Sequence, residues 1–389
     1  MLVSGILIYE DRLYRNCRTK INWFHVKLLF AIYRLPEHNQ NIVSLYLLTL
    51  GAKRNTMGRP KISVIIPVYN PGIYFEDCIK SLVNQTLKEI EIIFILDCPT
   101  DGSEKVAEKY AAEDNRILLI YNEKNIHIGL SRNKGLAAAT GEYIGFHDAD
   151  DRSEPRMYEL LYQKAKSGDY DIVRCNFNCI YPCKSDSFTE PYTYPEVTGD
   201  LIRKMQIYEK ICGDTVSCVI WNHIFKADLV SLHHITFVDS SKITSEDSIF
   251  FFEVYKYADK IGIVPDYLYY HIFHQSNTGG SYKYRSVGNR LRYFELLYAL
   301  LQERGLDKEI SYSFLTHNLM KSLYTASRQA LKRFPLRKGI SEIRQIRDNA
   351  LAMECIRYMY GKDRRKALLE MKPTIIVLFS ILRLFPERK

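Results

Sequence analysis

The sequence predicts an α/β protein: a mostly parallel sheet flanked by helices, followed by a helical C-terminal region. Three observations predict it. Short, continuously apolar runs of strand length recur at ISVIIP (62–67), EIIFIL (91–96), RILLIY (116–121) and EYIGFH (142–147), the pattern of strands covered on both faces. Stretches of helical periodicity separate them, and strand–helix alternation with short connections gives parallel strands joined by right-handed crossovers. From about Val287 the apolar spacing is helical, in NRLRYFELLYALLQERG and ISYSFLTHNLMKSLYTASRQAL.

Taken in order, the first strand is followed by a helix in which Tyr74, Cys78, Ile79, Leu82 and Val83 recur at helical spacing. The second strand leads to a helix that starts near Asp101–Ser103, both good N-caps, and runs through KVAEKYAAE. The third leads to LSRNKGLAAAT, a helix stopped by Gly141, and then to the fourth strand. After Glu154 come a helix, MYELLYQKAKSG, and a strand, DIVRCNF; the polar, Tyr- and Pro-rich stretch 178–198 reads as loop. TSEDSIFFFEVYKYAD (244–259) reads as a helix with an acidic start, followed by IGIV and YLYYHIFH as two strands. The expected organisation is an N-terminal extension over 1–60, an α/β domain over 61–280 and the helical region over 281–389.

Composition narrows the class. With 47% hydrophobic and 25% charged residues in 389, the chain is ordinary globular material, long enough for two or three domains' worth of core. The net charge of +9 is a moderate excess. It suits an anionic ligand or an anionic membrane surface, not nucleic acid. Nine cysteines without a pairing pattern or a signal-peptide layout point to a reducing, cytoplasmic setting. Cys175, Cys179 and Cys183 fit no zinc spacing. No apolar run reaches spanning length. TIIVLFSILRLF (374–385), beside the basic run Lys362–Lys366, reads either as a helix lying on the cytoplasmic membrane face or as a terminal helix packed on the body. The first 56 residues show no strand rhythm and end just ahead of a second methionine, Met57; they read as an upstream extension or as a membrane-binding arm.

The chemistry concentrates where the fourth strand ends, in GEYIGFHDADD (141–151). Asp148, Asp150 and Asp151 arrive together behind an apolar strand, and crowded carboxylates repel one another and resist burial. In an extended segment Asp148 and Asp150 share a face. The cluster reads as a solvated turn, as a cation site or as a place that includes a proton acceptor; two hard oxygen ligands suit Mg²⁺ or Mn²⁺, which keep waters and share substrate phosphates. Ligands of parallel sheets bind at the carboxyl ends of strands, so Asp97, which ends the second strand, faces the same crevice. The turn after the first strand is PVYNPG rather than GxGxxG, and no GxxxxGK[ST] occurs, which disfavours dinucleotide and P-loop folds.

SVIIPVYN (63–70), EIIFILDCPTDGS (91–103), NIHIGLSRNKGLAAATGEYIGFHDADD (125–151), WNHIFKADLV (221–230), SED (245–247) and YYHIFHQSNT (269–278), in that order and spacing, resemble the family 2 glycosyltransferases of bacterial polysaccharide type. The resemblance covers roughly 61–275. It implies the GT-A fold, Rossmann-like, and inverting, metal-dependent transfer from a nucleotide-sugar, a UDP-sugar in the first instance, to a saccharide or polyprenyl-linked acceptor. By the same resemblance, Pro67 and Tyr69 in the first strand's turn and Asp97 hold the nucleoside, with Tyr69 against the base and Asp97 accepting from its ring N–H. Asp148 addresses the ribose, Asp150 holds the Mg²⁺ or Mn²⁺, and Asp247 is the base, with Glu246 its competitor. Arg132 is read as a diphosphate contact or as part of a solvated helix face, and His271 and His274 as late phosphate or metal contacts or as ordinary histidines. The chain departs from the family pattern where Leu96 replaces the first acid of the usual pair and Cys98–Pro99 replace the usual small residues, which leaves nucleotide preference open. Two rivals remain: a nucleotidyltransferase, and a catalytically silent sugar-nucleotide or membrane-binding module. The second gains no benefit from a base such as Asp247.

Overall fold

The computed structural model describes residues 59–181, 188–190, 197–198, 219–274, 286–303 and 308–362. The chain divides into two units, Met1–Gly58 and Arg59–Lys389. The first, expected as an N-terminal extension, lies outside the described residues, as does the segment 374–385.

The four apolar runs form β1 (Ile62–Val68), β2 (Ile90–Leu96), β3 (Ile117–Tyr121) and β4 (Tyr143–Phe146). They pair in parallel in the order β3-β2-β1-β4. Between them lie α1 (Phe75–Val83), α2 (Ser103–Glu113) and α3 (His127–Ala138). The chain steps outward from β1 to β3 and then returns to the other side of β1, which makes the β1–β4 boundary a topological switch point, the place where open α/β sheets bind ligands. In β1, Ile62, Val64 and Ile66 pack into one apolar cluster with Phe75 and Phe94, while Ile65 points into the other with Phe146 and Phe250. Burial on both faces explains the unbroken apolar run.

Beyond β4 the sheet becomes mixed. A two-residue strand β5 (Arg152–Ser153) and helix α4 (Met157–Gly168) precede β6 (Ile172–Ile180). The stretch read as loop contains short strands, β7 (Phe188–Glu190) on β6 and β8 (Val197–Thr198), which pairs with a later strand. β9 (His223–Lys226) lies antiparallel between β4 and β6 and is followed by α5 (Ala227–Leu232) and α6 (Glu246–Tyr257). The two strands expected over IGIV and YLYYHIFH are one, β10 (Lys260–Ile272), parallel to β6. Its register shifts between Val264 and Tyr267 and again before Tyr269. Pro265, which has no N–H to give the ladder, sits at the first shift, and its carbonyl accepts from Asn176 Nδ2 at 2.6 Å.

Helices α7 (Val287–Glu303), α8 (Lys308–Arg333), α9 (Leu336–Asp348) and α10 (Ala350–Lys362) complete the described residues. They share one apolar cluster with α6 and with the Ile65 face of the sheet, which includes Leu291, Phe294 and Leu301 of α7 and Phe250 and Phe251 of α6. Helix α3 begins at His127 and ends at Ala138, ahead of Gly141. Its early start has a cause distant in sequence, because Asp97 accepts from the Ile126 and His127 N–H groups. Gly129 lets this helix approach closely: a Cβ there would strike the Val238 carbonyl.

Candidate active site

The turns at the carboxyl ends of β1 and β2 are tied together. Asn70, in the left-handed region at φ 51°, accepts the Thr100 N–H through Oδ1 at 2.6 Å, and the Gly72 N–H donates to Asp101 Oδ2 at 2.8 Å. Pro67 is half-buried, and Tyr69, the residue after the end of β1, is 53% exposed. Asp97 is only 2% exposed and already occupied: Oδ1 accepts from Asn122 Nδ2 and the Ile126 N–H, both at 2.8 Å, and Oδ2 accepts the His127 N–H at 3.0 Å. Three of its roughly four acceptor positions therefore hold the 122–127 segment.

The acidic cluster after β4 is not extended. The strand ends at Phe146 and a turn follows, closed by the Asp151 N–H donating to the Asp148 carbonyl at 3.2 Å. The strand-alternation expectation for Asp148 and Asp150 therefore does not apply; each acid finds a different partner. Asp148 Oδ1 accepts from Arg132 Nη2 at 3.1 Å. Asp150 Oδ2 lies 2.9 Å from His274 Nε2, whose ring stacks on Tyr74 at 4.4 Å. Asp151 is fully buried and accepts from the Tyr269 hydroxyl at 2.8 Å and the Ile272 N–H at 2.7 Å, with His271 Nδ1 at 2.9 Å. Burial, and then the charges of Asp151 and Asp148, push Asp150 up to about 6. Burial opposes charge on His271, but Asp151 outweighs it and raises the imidazole. Asp151 is thus the structural acid of the three, and Asp148 and Asp150 are half-buried.

Arg132 is not on a solvated face. It is 3% exposed and spans two acids, with Nη1 donating to Glu246 Oε1 at 2.9 Å and Nη2 to Asp148. Its guanidinium lies 5.3 Å from the Phe237 ring. Paired hydrogen bonds, Asn133 Nδ2 to the Phe237 carbonyl at 2.8 Å and the Phe237 N–H to Asn133 Oδ1 at 2.7 Å, fasten α3 to the segment that leads into α6. The two adjacent acids have different surroundings: Glu246 is buried and engaged by Arg132, while Asp247 is half-buried at the helix start and accepts the Ser248 N–H at 2.9 Å. A helix N-terminus favours an ionised carboxylate. Burial, and next the Glu246 charge, instead raise Asp247 to about 7, with Arg132 pulling the other way. Burial and a like charge one residue away outweigh the dipole.

Among the described residues, no three or more His, Cys, Asp or Glu side chains are arranged to hold a metal ion. A cation bound by one or two carboxylates and a ligand's phosphates does not need such a cage. A cavity of about 550 Å³ lined by Lys61, Glu89, Tyr162 and Lys166 opens near the amino ends of β1 and β2, away from this chemistry, and Lys61 and Glu89 pair there at 2.7 Å. No helix among the described residues is long and apolar enough to cross a membrane. Sequence reasoning missed the Arg132 bridge and the Tyr269–Asp151–His271 network. A signal for the second existed, since three adjacent acids behind a buried strand require partners.

The model of glycosyl transferase family 2 matches residues 63–222. EpsH of Bacillus subtilis, which carries a glycosyltransferase name, is 31% identical over 256 residues, covering 65% of this chain and 72% of EpsH. YibD of Escherichia coli, an uncharacterized glycosyltransferase, is 31% identical over 234 residues, covering 60% of this chain and 67% of YibD. The crystal structure of S. aureus TarS 1–349 in complex with UDP-GlcNAc superposes with a TM-score of 0.59 at 21% identity, covering 77% of this chain and 82% of that one, a likeness of fold. With the switch-point topology and the acidic turn after β4, these similarities place the chain in glycosyl transferase family 2, as a glycosyltransferase of the GT-A fold.

Proposed function

We propose that the protein is an inverting, metal-dependent glycosyltransferase that moves a sugar from a nucleotide-sugar, a UDP-sugar in the first instance, to a hydroxyl of a saccharide or polyprenyl-linked saccharide acceptor. One observation carries this reading: Arg132 bridges Asp148, at the end of β4, to Glu246, beside Asp247, and so joins two acidic centres of different character. One is the crowded turn suited to a cation and phosphates. The other is a half-buried carboxylate raised to about 7, in the range useful for a base. The UDP-GlcNAc complex of TarS, a protein of the same fold, supports the donor class.

In this reading Tyr69 stacks on the base, and Pro67 shapes the turn beneath it. Asp97 offers its remaining acceptor position to the ring N–H while holding the loop that frames the nucleoside, and Asp148 accepts from the ribose. Asp150 holds Mg²⁺ or Mn²⁺, with His274 beside it; the crowding that raises Asp150 fits such a cation. When bound, the ion neutralises charge on the departing diphosphate. Asp247 takes the proton of the acceptor hydroxyl as its oxygen forms the new bond to the anomeric carbon, and the bond to the diphosphate breaks on the opposite face. Arg132 holds the two acidic centres in place rather than touching the donor. The cell location is the cytoplasm, with peripheral contact at the membrane face through the C-terminal tail, and the division into 1–60, 61–280 and 281–389 is part of the same proposal.

The test is a donor screen in which UDP-, GDP- and dTDP-sugars are each supplied with Mn²⁺ or EDTA and nucleotide release is followed. Release from a UDP-sugar that EDTA abolishes supports the reading. Binding of the donor without any release under all conditions would favour a silent module instead.

A further inference from the structure

We propose that the corner between α8 and α9 is a docking surface for an anionic lipid bilayer. The segment 331–348, LKRFPLRKGISEIRQIRD, holds six Lys and Arg against two Asp and Glu, a far denser positive charge than the whole chain's +9 over 389 residues. The fold turns this charge outward. Helix α9 buries Gly339, Ile343 and Ile346 on its inner side. At 100° per residue the opposite side carries Arg337 and Arg344, two turns apart on one line, with Lys338 and Arg347 flanking them; all four are exposed. Lys332, at the end of α8, is exposed beside them. The outward acid is Asp348, since Glu342 is half-buried and accepts from Gln345 Nε2 at 3.2 Å.

An apolar tip sits within the charge. Leu336, the first residue of α9, is 70% exposed. Phe334 is half-buried, with Lys338 Nζ 4.5 Å from its ring centre. An exposed aliphatic side chain ringed by cations matches the headgroup boundary, where the leucine enters the acyl edge and the cations meet phosphates. Nucleic acid is a poorer match, because single strands are held on exposed aromatic faces, and the ring at this corner is half-buried under a lysine. The surface lies in the described residues and does not depend on the tail 363–389 or on the glycosyl transfer chemistry. It would hold the enzyme against the membrane with a defined orientation.

The test uses the full chain and sedimentation with phosphatidylcholine vesicles, with or without phosphatidylglycerol. Wild type is expected to bind the anionic vesicles and not the neutral ones. The triple variant Arg337→Gln/Lys338→Gln/Arg344→Gln should bind about 100-fold more weakly, from about fivefold per charge removed. Its rate of nucleotide release from a free donor should be unchanged, because none of the three residues belongs to the site. Leu336→Trp provides a second readout that keeps the charges: its fluorescence should shift to the blue when anionic vesicles are added. Equal binding by wild type and the triple variant would overturn the proposal, as would an emission spectrum of Leu336→Trp that does not shift. Binding to a duplex oligonucleotide that matches the vesicle binding and is lost in the same triple variant would overturn it in favour of nucleic acid.

Discussion

Replacing Arg132 with methionine tests the joint between the two acidic centres. The substitution keeps an apolar stem of similar length and removes only the charge and the hydrogen bonds. Both ends of the Arg132–Glu246 pair are 4% exposed at the side chain, and the contact is 2.9 Å, so water cannot replace the lost partner. Leaving one member of such a buried pair costs about 3–5 kcal/mol, a large share of the 5–15 kcal/mol that typically holds a domain together. Asp148 is 24% exposed at the side chain, and solvent screens much of its loss. Urea denaturation of wild type, Arg132→Met, Glu246→Gln and the double variant measures the coupling. The double variant should recover more than half of the loss, because glutamine leaves no charge buried. A cost below about 1 kcal/mol in the single variant, or a double variant no more stable than Arg132→Met, would refute the reasoning. Because Arg132 pulls Asp247 down, its removal should also move the rise of activity with pH to higher pH.

Four further expectations follow. With Asp247 at about 7 and required in its ionised form, kcat/KM should rise roughly tenfold between about pH 6 and 8. The sign for stability is opposite: the folded state holds this proton more tightly than the unfolded chain, whose carboxyl titrates near 3.8, so wild-type stability declines as pH rises from there to about 7, and Asp247→Asn should abolish that part of the decline. Asp150→Ala should remove most of the metal-stimulated activity and leave the protein folded; activity and Mn²⁺ response that both survive would remove Asp150 from its role. A chain starting at Met57 should fold and turn over normally, checked by circular dichroism and nucleotide release, because every strand and site residue described above lies beyond it.

The parallel half of the sheet was legible because β1, β2 and β4 are buried almost throughout and the edge strand β3 is largely half-buried, which writes apolar runs into the sequence itself. β7, β8 and β9 were not, since strands of two to four residues are specified by the neighbours they pair with. The start of α3 was misplaced for a similar reason: the group that caps it, Asp97, is about 30 residues away. In the site, the acidic positions and their place at strand ends could be read, because sheet topology dictates that end. Arg132 could not be assigned, because its partner Glu246 is 114 residues distant and only the fold brings them together. Asp247 shows the limit of a local rule. A helix start by itself favours a low pKa, whereas burial and Glu246, visible only in three dimensions, raise it.

The most direct measurement is sugar transfer by Asp247→Asn and Glu246→Gln, with donor affinity measured on the same samples. Asparagine keeps the size of the side chain and cannot accept the proton. Transfer by Asp247→Asn should fall by about 10²–10⁴ while donor binding persists, and Glu246→Gln should lose clearly less. Transfer at the wild-type rate in Asp247→Asn, or a larger loss in Glu246→Gln, would contradict the assignment of Asp247 as the base.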